Sequence, residues 1–405
     1  MTLQQTPTLQ PNDQLHFDTS EHGVLNFINN IILHCIVKNA SDIHFEPYEE
    51  YYRIRARIDG ILHEITQIDA KRAPRLSSRL KVMAALDIAE KRLPQDGRCT
   101  FKLEHQKFIN LRINSCPTLY GEKIVLRILD DTNVQIDINS LGFSDNQRQL
   151  FLQSLYKSQG MILVTGPTGS GKTVTLYTAL NLLNSNENNI STVEDPIEIY
   201  LPGINQVNIN NKAGLNFATT LRALLRQDPD VIMLGEIRDL ETAEISIRAA
   251  QTGHLVLSTL HTNNTFESLV RLRNMGIAIF NMATSINLII AQRLLRRLCD
   301  NCKEPDKVNK NILLQQGFAE AELTRLKLYR AVGCQNCNAG YLGRTAIFEL
   351  LPLTAEIREI ILRTANLLTI QQQATTLGII NLRQAALKKV RQGITSVAEV
   401  HRVVS

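Results

Sequence analysis

The stretch GPTGSGKT at positions 166–173 constrains the fold of this chain more than any other feature. It matches the pattern G-x-x-x-x-G-K-[ST] and lies between the apolar segment MILVT and the helix-like segment VTLYTALNLL. A strand, a glycine loop and a helix in this order predict a phosphate-binding loop, because glycines let backbone N–H groups close around phosphate oxygens. A glycine turn that matches by chance is the alternative.

We expect this loop to bind a nucleoside triphosphate together with Mg²⁺. Lys172 would reach the β and γ oxygens, and the Thr173 hydroxyl would bind the metal ion. The remaining phosphate contacts would come from the rest of the loop: Gly166, Pro167, Thr168, Gly169, Ser170 and Gly171.

The chain of 405 residues is long enough for two or three domains. Residues 1–15 are polar and aperiodic, which predicts a flexible tail. Residues 16–130 mix strand-like and helix-like patterns and predict an α+β domain, and the polar segment 131–140 predicts a linker. Residues 141–405 alternate strands and helices, as in a mainly parallel α/β sheet, and end in a helical part over 354–405.

Periodicity predicts the elements of the first domain. Apolar residues recur at helical spacing over 24–40, and RLSSRLKVMAALDIAEK at 75–91 also has a helical pattern. Alternating patterns at 41–45, 51–62 and 107–129 predict strands.

Composition restricts the location and the partners of the chain. The net charge of +5 is too small to indicate a polyanion partner by itself. We find neither a run of about 18 apolar residues nor the basic start and apolar stretch of a signal peptide. We therefore expect a cytoplasmic protein.

Carboxylates follow two further strand-like segments, where an α/β sheet binds its ligands. Glu194 and Asp195 lie in TVEDPIE, and Glu236 ends the apolar run DVIMLGE. Hydrolysis needs such a carboxylate to orient or deprotonate water. A common Walker B strand has Asp before this Glu, whereas this chain has Gly235, which leaves direct Mg²⁺ binding by that strand open. A solvated loop charge is the alternative for each acid taken alone.

Two histidines flank the apolar segment LVLSTL. His254 precedes it and His261 follows it. Imidazole can hydrogen-bond a γ-phosphate or contact a neighbouring subunit. A structural role is the alternative for either histidine.

Four of the seven cysteines form two CxxC pairs, which predicts a structural Zn²⁺ site. Reduced packing thiols or a redox pair are the alternatives. The spacer of 31 residues between the pairs would fold back through a helix. The predicted ligands are Cys299, Cys302, Cys334 and Cys337.

Arginines cluster in the first predicted domain. Most would face solvent, but a hydrolase can receive an arginine finger from another domain or protomer. Arg55 and Arg57 in RIRARIDG are our candidates.

Taken together, these motifs resemble the secretion ATPase superfamily of type II secretion and type IV pili over roughly residues 20–400. The motifs occur in the superfamily's order: SDIHFEP, RIRARIDG, PQDGR, GPTGSGKT, TVEDPIE, LRQDPDVIMLGEIRDLETAEI and TGHLVLSTLHTN. Three further segments most resemble the pilus assembly (extension) branch: EDPIEIYLPGINQVNIN, NMATSINLIIAQRLLRRLC and GCQNCNAGYLGRTAIFELLPLT.

The resemblance implies a RecA-like P-loop domain, a smaller PAS-like N-terminal domain, a zinc knuckle insertion over 299–337 and C-terminal helices. It also implies a homo-hexamer that binds ATP, Mg²⁺ and structural Zn²⁺, with each nucleotide between the two domains and first-domain arginines moving onto it. Such a motor works on an inner-membrane platform protein, so we expect peripheral membrane association through partners and no nucleic acid.

The resemblance also names the polar residues. Glu194 and Asp195 match the superfamily's Asp box, Glu236 its atypical Walker B, and His254 and His261 its His box. Either Glu194 or Glu236 would activate water.

Three other functions stay open at this stage. Assembly ATPases carry a further N-terminal docking domain, and only a short segment precedes Val24 here, so a type II secretion or DNA-uptake pseudopilus motor is a sibling function. A nucleic-acid translocase is an alternative of a different class, although 5% aromatic residues and no tryptophan offer no obvious path for stacked bases. A nucleotide-binding scaffold without turnover is the third, and the intact Lys172, Thr173 and Glu236 argue against it.

Overall fold

The computed structural model describes residues 21–103, 108–129, 137–363 and 367–404. The chain divides into two compact units, Met1–Asn133 and Val134–Ser405. The predicted flexible tail lies outside the described residues, as does most of the predicted linker.

The first unit is an antiparallel six-stranded sheet covered by two helices, α1 (Glu21–Val37) and α2 (Ala73–Met83). Its strand order is β3-β2-β1-β6-β5-β4. The strands are β1 (Ala40–Pro47), β2 (Tyr51–Ile58), β3 (Ile61–Asp69), β4 (Gln95–Lys102), β5 (Phe108–Thr118) and β6 (Gly121–Leu129).

Side chains alternate along these strands because successive residues of a strand point to opposite faces. On β2, Ile54 and Ala56 are fully buried in the core with the two helices. Arg53, Arg55 and Arg57 occupy the alternate positions and are partly exposed. The sequence pattern predicted this strand correctly.

The predicted helix over 75–91 is wrong beyond Met83, where α2 ends. Ala85 has a φ of 54°, which a helix does not accommodate. Buried Lys81 explains the turn, because its ammonium donates to the Glu90 carbonyl at 2.7 Å and to Glu122 Oε1 at 2.7 Å. The chain after α2 therefore folds back over Lys81.

The second unit contains a seven-stranded sheet of order β15-β12-β7-β11-β10-β8-β9. Neighbouring strands are parallel except β12 and β15, which are antiparallel. The strands are β7 (Gly160–Thr165), β8 (Ile190–Glu194), β9 (Asn205–Asn208), β10 (Val231–Leu234), β11 (Leu255–Leu260), β12 (Ile286–Leu298) and β15 (Tyr341–Pro352). Between β12 and β15 lies a short pair, β13 (Glu304–Pro305) and β14 (Tyr329–Arg330).

Helices cover both faces of this sheet. On β7, Met161 and Leu163 join one buried cluster, and Ile162 and Val164 join the other. Helices α3 (Asp145–Leu155) and α4 (Lys172–Leu183) pack on the second face. The first face carries α5 (Phe217–Leu224), α6 (Leu240–Gln251), α7 (Thr265–Met275), α8 (Ile279–Ser285), α10 (Ala355–Arg363) and α11 (Leu367–Thr376).

A smaller core lies at one end of β12. It joins α9 (Lys310–Gln316), α12 (Leu382–Arg391) and α13 (Val397–Val403) to β12 and β15. Helix α9 lies in the spacer between the CxxC pairs, as predicted. No helix within the described ranges is long and apolar enough to cross a bilayer.

The α/β fold class is confirmed, including the mainly parallel sheet. Strands β7, β8, β10 and β11 were predicted, whereas β9, β12 and β15 were not. Strands β7, β11, β10 and β8 are parallel, so their carboxyl ends lie at one edge of the sheet. This edge carries the candidate site.

Candidate nucleotide-binding site and four-cysteine cluster

The GPTGSGKT loop connects β7 to α4, as its sequence predicts. Gly169 and Gly171 have φ values of 78° and 87°, in the left-handed region that glycine adopts without strain. Gly171 is the N-cap of α4, so the N-terminus of that helix opens onto the loop. Such an arrangement binds anions through free backbone N–H groups and the helix dipole.

Lys172 folds back onto its own loop. Its ammonium donates to the Gly166 carbonyl at 2.8 Å and to the Pro167 carbonyl at 3.1 Å. Burial lowers the pKa of Lys172 to about 8, opposed by the charge of Glu236 and reinforced by that of Arg293. A phosphate bound nearby would therefore stabilise the charged form of Lys172.

The other loop positions differ in exposure. Pro167, Thr168 and Gly169 are exposed, and so is Thr173 at the start of α4. The Ser170 hydroxyl is buried and has no hydrogen-bond partner among the described residues. The exposed Thr173 hydroxyl is accessible to a metal ion.

Glu236 lies two residues beyond the end of β10, beside two basic side chains. His261 Nε2 is 3.2 Å from Glu236 Oε2, and Arg238 is hydrogen-bonded to Glu236 Oε1. Arg238 Nη2 is also 3.9 Å from Asp195 Oδ2. Burial raises the pKa of Glu236, but Arg238 and His261 outweigh burial and hold the pKa below its usual range. Three of the predicted residues thus share one polar cluster: Asp195, Glu236 and His261.

Glu194 ends β8, and its described hydrogen bonds are made with other residues than those of this cluster. Its side chain is almost completely buried. Oε1 accepts from Thr192 Oγ1 at 2.6 Å and from Gln206 Nε2 at 3.2 Å. The hydroxyl of Tyr177, on α4, donates to Oε2. Both oxygens are therefore occupied by neutral donors, whereas the Glu236 side chain is 21% exposed.

The structure does not bring His254 to this edge. His254 precedes β11, whereas His261 follows it. Six residues of strand separate the two ends by about 20 Å. His254 Nδ1 is 3.1 Å from the Ala249 carbonyl at the end of α6, at the opposite edge of the sheet.

The four cysteines come together although 31 residues separate their pairs. All four sulfur atoms lie within 4.8 Å of one another. The Sγ–Sγ distances are 3.9 Å for Cys299–Cys334, 3.7 Å for Cys302–Cys337 and 3.6 Å for Cys334–Cys337. Tetrahedral thiolates at a Zn–S distance of 2.3 Å would lie about 3.8 Å apart. The cluster fits a closed four-thiolate metal site such as a zinc knuckle.

A family model described as "Type II/IV secretion system protein" matches residues 18–402. The chain belongs to this family. In sequence it is 56% identical to the type IV pilus assembly ATPase PilB of Acinetobacter baylyi over 387 residues, which are 95% of this chain and 67% of the relative. It is 46% identical to the type II secretion system protein E of Pectobacterium carotovorum over 400 residues, 98% of this chain and 78% of the relative.

Two solved structures support the fold of this secretion-family chain. The pilus retraction motor PilT with bound ADP aligns with a TM-score of 0.62 and 26% identity, over 93% of this chain and 96% of that one. The ATPase DotB of Legionella pneumophila aligns with a TM-score of 0.64 at 23% identity, over 93% and 94%.

The candidate arginines of this family member lie in the first unit and are bound to carboxylates there. Arg55 donates to both oxygens of Glu46 at 2.8 Å. Arg57 Nε lies 3.9 Å from Asp42 Oδ2. Burial opposes ionisation of Glu46, but Arg55 and Lys123 lower its pKa to about 2, so Glu46 stays charged.

Sequence reasoning missed three residues around the nucleotide loop. Arg238 follows Glu236 by two positions, and this spacing could have identified it as a partner of Glu236 from the sequence. Tyr177 is one more buried residue of α4, and nothing in its spacing distinguishes it. Arg293 lies on β12, which was not predicted as a strand.

Proposed function

We propose that this chain is an ATP-hydrolysing motor that powers assembly of a type IV pilus. Support comes from relatives named as pilus assembly ATPases at 55–56% identity over 95% of the chain. The observation that carries the proposal is the polar edge beside the loop, where Glu236 and His261 lie at the ends of strands parallel to the loop's own strand.

The loop would hold MgATP. Lys172 would exchange its two carbonyl acceptors for β and γ oxygens of the triphosphate, and Thr173 would supply a hydroxyl to Mg²⁺. The backbone N–H groups from Thr168 to Lys172 would bind the remaining phosphate oxygens, whereas Pro167 has no N–H to donate.

Glu236 is our candidate for the residue that orients the attacking water. It is charged, partly exposed and at the edge where the loop opens. His261 and Arg238 would fix its carboxylate, and His261 could also contact the γ-phosphate. Glu194 would stabilise the end of β8 through its buried hydrogen bonds. Asp195, the next residue, would lie at the edge of the nucleotide site.

Two glutamate variants test this division of roles. We expect Glu236→Gln to lower kcat by about 10²–10³-fold with nucleotide binding retained, because one preorganised group in the transition state is removed. Glu194→Gln should lower kcat less than Glu236→Gln does, and it should lower the free energy of unfolding more. Glu244→Gln, on the exposed side of α6, is the matched control. Phosphate release and fluorescent-nucleotide binding measure both properties. Full turnover in Glu236→Gln together with loss in Glu194→Gln would contradict the assignment.

The four-cysteine cluster would hold a structural Zn²⁺. Support comes from sulfur separations that match tetrahedral coordination, and four thiolates would fill all positions of a tetrahedral ion. Metal analysis of the native protein tests this assignment, and a protein without zinc would contradict it.

The motor would be a homo-hexamer that acts on an inner-membrane platform protein and associates with the membrane through that partner. First-unit arginines would complete the nucleotide site during turnover. Arg55 would then have to leave Glu46, its present partner. Mass measurement with and without ATP tests the assembly state, and capture of the platform protein tests the partner.

A type II secretion motor is the second candidate. It is favoured by the match to type II secretion protein E, which covers 98% of this chain at 46% identity. Rescue of pilus extension, but not of secretion, in strains lacking the respective motor would favour the pilus function.

A further inference from the structure

Strand β12 forms the floor of the phosphate loop. It pairs with β7 so that Ala291 is opposite Thr165, which places the next residues of β12 beside the start of the loop. A Cβ at Gly166 would lie 2.5 Å from the Gln292 carbonyl oxygen and 3.1 Å from Arg293 Nη1. Glycine at 166 is therefore required by the close approach of β12.

Arg293 is a buried cation at this floor, with 8% of its surface exposed. Its guanidinium donates from Nη1 to the Gln292 carbonyl at 3.0 Å and from Nη2 to the Asn263 carbonyl at 2.8 Å. In the described part of the chain, no carboxylate lies within ion-pair distance of it. Burial lowers the pKa of Arg293, although Glu267 and Glu349 oppose this effect from a distance. A buried charge of this kind is costly and calls for a role.

The Asn263 contact connects Arg293 to residues 261–264, which we name the histidine loop. This loop begins with His261, the residue in contact with Glu236. It is also fixed to the end of β7, because the Thr165 and Thr262 hydroxyls lie 2.6 Å apart and the Thr262 N–H donates to Thr165 Oγ1 at 3.0 Å. Arg293 thus contacts the histidine loop through Asn263 and lies beside Gly166, the first glycine of the phosphate loop.

We infer that Arg293 is a positioning residue that holds the histidine loop against the phosphate loop and thereby keeps His261 on Glu236. The inference rests on the proposed ATPase function and adds a residue to it. A guanidinium suits this role because its planar fork donates in two fixed directions, whereas an ammonium is a single point charge. Misplacement of a catalytic group by about 1 Å can cost 10²-fold in rate.

Hydrogen exchange tests the placement without ATP. We expect the amides of 261–264 to exchange at least about tenfold faster in Arg293→Met than in the wild-type chain, because one anchor of the loop is lost. Arg297→Met is the matched control, since it removes an exposed arginine from the same strand. Unchanged protection of the histidine loop in a folded Arg293→Met protein would overturn the inference. If that variant does not fold, Arg293→Lys is measured in its place, with faster exchange expected.

Kinetics test the consequence for the reaction. We expect Arg293→Met to lower kcat about 10–100-fold with a change in the KM for ATP below about threefold. Arg293→Lys should restore less than a third of the lost kcat, and full restoration would overturn the requirement for the fork. In a His261→Ala background the same substitution should lower kcat by less than about twofold, because the two residues act through one contact. Equal factors in both backgrounds would overturn the proposed route.

The two readouts separate this inference from the proposed function. A wild-type chain that hydrolyses no ATP contradicts the ATPase proposal, whereas the exchange result decides the anchoring of the histidine loop in either case.

Discussion

The charge of Lys172 gives a quantitative prediction, because burial lowers the pKa of this ammonium to about 8. In the nucleotide-free protein, Lys172 loses its charge as the pH rises through that value. About a tenth of the molecules carry a neutral Lys172 at pH 7 and about nine tenths at pH 9. Bound phosphate favours the ammonium and raises its pKa. ATP binding at pH 9 should therefore take up about 0.9 proton, and affinity should fall about tenfold from pH 7 to pH 9.

Titration calorimetry measures this linkage directly. ATP is titrated with Mg²⁺ in excess in two buffers of different ionisation enthalpy, and the difference in heat gives the number of protons taken up. In Glu236→Gln the affinity loss should begin at a lower pH, because the Glu236 charge favours the Lys172 ammonium. Constant affinity between pH 7 and pH 9 with no proton uptake would refute the reasoning.

Three further predictions concern stability. Cys299→Ser should lower the zinc content below about one ion per chain in elemental analysis and lower the melting temperature while nucleotide binding persists; unchanged metal content would contradict this. Lys81→Met should destabilise the first unit by about 3–5 kcal/mol in urea, because Glu122 is left buried and unpaired, and Lys81→Met with Glu122→Leu should recover most of the loss. Tyr177→Phe should cost about 1–3 kcal/mol, because a hydrogen-bonded oxygen of Glu194 loses its donor. An unchanged urea midpoint would argue against that contact.

Local patterns predicted the parts of the fold that local forces determine. The phosphate loop, its strand and its helix follow from glycine spacing and flanking periodicity. Strands β1, β2, β5 and β6 of the first unit follow from alternation, whereas β4 and most of β3 were not predicted. Strand β12 was missed because it is buried on both faces, so INLIIAQ has no alternation that distinguishes a strand from a helix.

The helix that ends at Met83 shows a second limit of the sequence. Ala, Leu and Ile continue the helical pattern through residues 84–90, but the buried ammonium of Lys81 binds the Glu90 carbonyl and turns the chain back. Tertiary hydrogen bonds of this kind leave no local signal.

In the candidate site, too, the sequence predicted which residues are involved, but tertiary packing decided how they are arranged. The sequence identified Glu194 and Glu236 as equivalent carboxylates at strand ends. Only the packing separates them, because Tyr177, Thr192 and Gln206 enclose Glu194 while Glu236 stays partly exposed. Strand β11 separates His261 from His254, since a strand between two histidines places them at opposite edges of the sheet, and the flanking positions in the sequence already implied this.

Steady-state phosphate release tests the central claim most directly. The wild-type chain with MgATP should release phosphate with saturable kinetics, and Lys172→Ala, with its fold checked by circular dichroism, should fall to the background rate. Hydrolysis that persists in Lys172→Ala, or a folded wild-type hexamer that releases no phosphate, would contradict the assignment of this chain as an ATPase.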